Sequence, residues 1–115
     1  MNPTTEDKTR VKRLRTEQAI QFAMQSRWHE AITANKAIIA VFPEEADAYN
    51  RLGKALSETG KIKEAREAYN QALALQPTNA IARKNLERLA AARAKATPRN
   101  RKTRAPITLG FEKAN

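Results

Sequence analysis

The feature of this sequence that most narrows what it can fold into is an internal period of 34 residues. Shifting the chain by that interval lays "WHEAITANKAIIAVFPEE" on "IKEAREAYNQALALQPTN", so that Trp28 meets Ile62, Ala31 meets Ala65, Ile39 meets Leu73, Val41 meets Leu75 and Pro43 meets Pro77. A second shift puts Ala48, Leu52 and Leu56 on Ala82, Leu86 and Ala90. Each period reads as two amphipathic helices, a unit too small to bury its apolar side alone, so successive units must stack. The spacing predicts helices over 6–25, 28–41, 46–58, 62–75 and 80–95.

Composition agrees with an all-α chain. Of 115 residues 41% are hydrophobic but only 5% are aromatic, and alanine, leucine, glutamate, lysine and arginine, all good helix formers, dominate. The absence of cysteine removes disulfides, thiolate metal sites and cysteine nucleophiles.

Residues 46–79 carry Tyr49, Leu52, Gly53 and Leu56 on a first helix, then Ala65, Tyr69, Ala72 and Pro77. In this pattern the chain resembles the tetratricopeptide repeat family. Residues 12–45 match in the second helix through Ala31 and Pro43. They depart from the pattern at Arg15 and Gln18, where an aromatic and a leucine are usual, and at Asn35 and Ile38, where an aromatic and a small residue are usual. The resemblance implies a right-handed helix–turn–helix solenoid of about two repeats, 12–45 and 46–79, with a capping helix at 80–95. Residues 1–95 then form one domain and 96–115 a flexible basic tail.

The small residues have a physical reason to be where they are. Antiparallel helices cross closely only where one presents a side chain no larger than hydrogen or methyl, which is the expected role of Gly53 and Ala65, and of Ala72 against the next helix. Ala19 and Ala31 stand at corresponding places in the first period. Gly60 with Lys61 is expected to turn the hairpin, Pro77 to end a helix and Asn79 to cap the next. "TTED" near the N-terminus combines a cap with acids in the first helical turn.

Charge is unevenly placed. The net charge is +10, and residues 80–115 hold ten bases against two acids. The N-terminus "MNPTTEDKTRVKRLR" has no apolar run after its basic residues, and no stretch approaches the roughly 18 apolar residues of a membrane span. A soluble cytoplasmic protein without a membrane anchor is expected.

Parts for catalysis are wanting. The single histidine, His29, reads as a half-exposed helix residue; acids such as Glu44 with Glu45 or Glu64 with Glu67 read as helix starts and solvated faces, and no phosphate loop or metal-ligand spacing occurs. No enzymatic activity, metal or cofactor is expected.

The resemblance implies a concave face, lined by the first helix of each repeat, that binds a segment of another protein. On helical geometry that face holds Arg13, Thr16, Ile20 and Met24 from the first repeat, Asp47, Asn50, Arg51, Lys54 and Glu58 from the second, and Lys84 and Arg88 from the cap. Its basic lean points to an acidic or amphipathic segment. One subclass of the family clamps a chaperone's terminal carboxylate at five fixed places; here these hold Thr16, Ile20, Arg51, Ile81 and Asn85, so that clamp is not expected. The competing reading is an RNA- or ribosome-associated protein that neutralises phosphates through Arg99, Arg101, Lys102 and Arg104. Self-association is a further expectation, because the atypical first repeat leaves Phe22 or Ile20 at an unfinished edge.

Overall fold

The computed structural model describes residues 4–96, which form five helices: α1 (Thr5–Met24), α2 (Trp28–Val41), α3 (Ala46–Glu58), α4 (Ile62–Leu75) and α5 (Ala80–Ala96). The chain divides into two compact units, Met1–Asn85 and Leu86–Asn115, with α5 running from the first into the second. Within the first unit α1 packs on α2, α2 on α3 and α3 on α4, and α1 also touches α3. This is the stacked-hairpin architecture of an all-α solenoid. The tail expected beyond Ala96, with Arg99, Arg101, Lys102 and Arg104, lies outside the described residues.

Local chemistry explains the helix ends. Thr4 and Asp7 form a capping box on α1: the Asp7 N–H donates to Thr4 Oγ1 at 3.0 Å and the Thr4 N–H to Asp7 Oδ2 at 3.4 Å. The two hairpin turns repeat bond for bond at the sequence period. Arg27 N donates to Phe22 O at 2.8 Å, and Lys61 N to Leu56 O at 2.9 Å, closing each helix C-terminus in the same way. Such a turn needs one residue in the left-handed region, and the second hairpin supplies Gly60 at φ +82°. In the first hairpin the same position is Ser26, at φ +56°, where a side chain raises the cost of the turn.

Asn79 joins two elements of the first unit. Its Oδ1 accepts from the Ala82 N–H at 2.9 Å, capping α5, and from Asn50 Nδ2 of α3 at 3.1 Å. Asn79 is thus the expected cap, and it also ties α3 to the start of α5.

The core runs along the line of small residues. Ala19, Ala31, Ala48, Ala55, Ala65, Ala72 and Ala82 have no solvent exposure, and Ala19, Ile38 and Ala48 form one cluster with Ala34, Ile39 and Phe42 packed against it. Gly53 is a point of close approach between α3 and α4: a Cβ there would meet the buried ring of Tyr69, 2.6 Å from Cε1, so this ring is the nearest group that demands a glycine.

Two stability outcomes are expected. Gly53→Ala should lose stability, although helix propensity alone favours alanine by about 1 kcal/mol, because overpacking costs about 1–3 kcal/mol and the ring has no free space. In a Tyr69→Leu background the same substitution should cost less, as a double-mutant cycle on thermal or urea unfolding will show. Ser26→Gly should instead stabilise, by about 0.5–1 kcal/mol once the extra freedom of glycine in the unfolded chain is subtracted. An unchanged or lowered Tm for Ser26→Gly would count against turn strain.

Candidate functional site

Most of the residues expected to form an α1/α3 binding face are at the surface. Residues 13, 16, 20 and 24 follow one another at three- and four-residue steps and so form a single stripe along α1. Arg13 is exposed, Thr16 is half-buried, and Ile20 and Met24 are open to solvent, Met24 at 73%. On α3, Asp47, Lys54 and Glu58 are exposed. Lys84, on the part of α5 within the first unit, is also exposed. Arg88 belongs to the second unit, where its side chain is exposed.

Two of the expected residues have other roles. Asn50 is 7% exposed and spends its amide on the Asn79 cap, so it is a structural residue and not part of the binding surface. The physical reason is that Asn50 Nδ2 turns inward to donate to Oδ1 of Asn79, the same oxygen that accepts from the Ala82 N–H. Arg51 is half-buried, and its Nε donates at 3.0 Å to Oδ1 of Asn35 on α2. Asn35, 1% exposed, is held in turn by its own Nδ2, which donates to Ala31 O at 2.9 Å. Burial pushes the Arg51 guanidinium below its ordinary range, with the charges of Asp47 and Glu45 acting in the opposite sense. Arg51 therefore contributes charge from behind the surface and joins the two hairpins.

Trp28, which no motif in the sequence marks as a surface group, also lies against α3. Trp28 is half-buried at the start of α2, and the Lys54 ammonium lies 5.9 Å from its ring centroid while bonding Glu58 at 2.7 Å. The cation near the aromatic face is a favourable pairing, and Lys54 lies between an aromatic and a carboxylate. The exposed groups are of mixed character: aliphatic side chains at Ile20 and Met24, a lysine paired with Glu58, and cations at Arg13 and Lys84. Among the described residues no three His, Asp or Glu side chains are grouped as a metal site would need, and no helix is long and apolar enough to cross a membrane.

The Asn35–Arg51 bond joins a buried amide to a half-buried guanidinium. Hydrogen bonds to charged groups contribute about 1.5–3 kcal/mol, and an orphaned buried partner costs a similar amount. Asn35→Leu and Arg51→Leu should each destabilise by that order, and the double variant by clearly less than the two together. Additive losses in urea unfolding would mean that the bond does not couple the hairpins.

The family profile described as the tetratricopeptide repeat matches residues 46–79. Two peroxisomal targeting signal receptors, from Candida albicans and Eremothecium gossypii, are each 36% identical to this chain over 67 residues, which is 58% of this chain and 11% and 12% of theirs. A small glutamine-rich tetratricopeptide repeat-containing protein 2 from Mycosarcoma maydis is 34% identical over 68 residues, 59% of this chain and 19% of its own. The chain thus spans less than a fifth of the length of these relatives.

Proposed function

The chain is a tetratricopeptide repeat protein, and from that premise we propose that it is a non-enzymatic interaction module that receives a segment of another protein on the α1/α3 face. What supports this reading is that Ile20 and Met24 of α1 are exposed apolar groups and that Arg13 of α1 and Lys84 of α5 are exposed cations of the same unit. A segment with an apolar side and acidic flanks matches both. The relatives from Candida albicans and Eremothecium gossypii are by name receptors for a signal, which supports binding over catalysis. Affinity on such a surface comes from several modest contacts, with charge complementarity governing partner choice. The cytoplasm is the proposed setting.

A second reading is favoured by the charge of the C-terminal third: an RNA- or ribosome-associated protein in which phosphates are neutralised by bases of residues 80–115, including Arg99, Arg101, Lys102 and Arg104.

The test is affinity capture from the native cell with Arg13→Glu/Lys84→Glu against the control Lys36→Glu/Lys63→Glu. All four residues are exposed, and each pair changes the net charge equally. Arg51 is left alone because reversing it would break the bond to Asn35. The first double variant should lose the captured protein several-fold while the control keeps it, with nuclease making no difference. Loss in both variants alike, or on nuclease treatment, or on removal of residues 97–115, would favour the phosphate reading.

A further inference from the structure

The outer side of the first hairpin, facing away from α3, carries an apolar groove. It runs between α1 and α2 and has a volume of about 450 Å³, with Phe22, Ala34 and Ala37 among its lining residues and Arg15, Gln18 and Glu30 at its sides. Helical spacing extends this surface beyond the groove itself. Leu14 stands four residues before Gln18, and Val41 four after Ala37, each on the same side of its helix. Both are 54% exposed. In the second hairpin the counterparts of Gln18 and Phe22, one period on, are Leu52 and Leu56, and both are buried. The first hairpin therefore presents a stacking face of the kind that the second has covered.

Charge along the groove identifies what fits it. Because α1 and α2 are antiparallel, Phe22 and Glu30 lie at one end, where Arg27 joins them by bonding the Glu30 carboxylate and stacking its guanidinium 4.9 Å from the Phe22 ring centroid. Gln18 and Ala34 lie in the middle, and Arg15 and Ala37 toward the other end, where Lys12 reaches Phe42 and Glu45. Arg15 is thus on one side of the centre and Glu30 on the other. A two-fold axis lying in the contact plane, across the groove from Gln18 to Ala34, exchanges these ends. It brings Arg15 of each chain to the Glu30 end of the other, and sets the small Ala34 residues where the surfaces come closest. Glu30, its carboxyl held below the ordinary range by the bond to Arg27, has oxygen lone pairs remaining for a second cation. An isologous contact of this kind needs one self-complementary patch and closes after two subunits.

We infer that the outer groove of the first hairpin is a self-association surface, occupied by the same groove of a second copy in antiparallel register. It is separate from the α1/α3 face, so a dimer presents two binding surfaces to partners, and a multivalent partner gains avidity without any new contact.

Sedimentation velocity on the full chain over a dilution series tests this. Wild type should show a concentration-dependent monomer–dimer equilibrium. Ala34→Arg, which places a charged side chain on the axis, should shift it to monomer by at least ten-fold in Kd, with helicity by circular dichroism unchanged. Arg15→Glu alone sets two carboxylates against each other across the contact, and Glu30→Arg alone sets two guanidinium groups against each other, so each should weaken the dimer. Mixing these two variants should restore association between unlike chains, because both cross-axis pairs become attractive again. Lys63→Glu should leave the equilibrium unchanged. A wild-type chain that stays monomeric into the millimolar range, a dimer indifferent to Ala34→Arg, or a mixture no stronger than its separate components would overturn the inference.

Discussion

The structure depends on how closely two helices of a hairpin approach. In the second hairpin that approach is set by the Tyr69 ring lying on the backbone at Gly53, with no space for a methyl group between them. The ring is almost wholly enclosed, and Leu52 and Leu56 are also drawn into the interior. The first hairpin meets the same requirement with different chemistry. Ala19 stands in place of Gly53 and Asn35 in place of Tyr69, so a larger residue on one helix accompanies a smaller one on the other. Replacing an aromatic by an amide brings a polar group into the core, and it is satisfied by the Ala31 carbonyl on one side and the Arg51 guanidinium on the other. The departure from the repeat pattern at residue 35 is thus the source of the buried polar link between hairpins.

Most of the architecture is legible in the sequence because its signals are redundant. Apolar periodicity places all five helices to within a residue or so, and Pro43, Gly60, Pro77 and Asn79 punctuate them independently. The Thr4 cap is readable because its side chain acts on its own local backbone. What escapes depends on relations between helices. Gly53 is recognisable as a contact point, but which group it contacts follows from the crossing geometry. Asn50 has the right angular position for an exposed face, and its burial follows from Asn79, 29 residues later in the chain. Arg51 is assigned to the correct helix, and the signal that it turns inward is present in Asn35, an amide where an aromatic is usual.

The outward side of the first hairpin shows a compromise between solubility and packing. At the two pattern positions where the second repeat has Tyr49 and Leu52, the first has Arg15 and Gln18, both exposed. Polar side chains at these positions keep that face of the first hairpin in water. Here the replacement is partial: Phe22, Leu14 and Val41 retain apolar area on the same side. Departures in the first repeat therefore have two separate causes, exposure at residues 15 and 18 and internal repacking at residue 35.

Trp28 is the single tryptophan of the chain, and it sits where the first hairpin meets α3, under the Lys54 ammonium. An indole is a fluorophore whose emission responds to nearby charge and to water. The protein consequently has a built-in optical reporter at one point of the α1/α3 face, free of background from any other tryptophan. A displaced lysine, a closer apolar neighbour or a loosened hairpin each alters a different property of that emission: its intensity, its wavelength or its polarisation. The junction between the repeats can thus be followed in solution without any label.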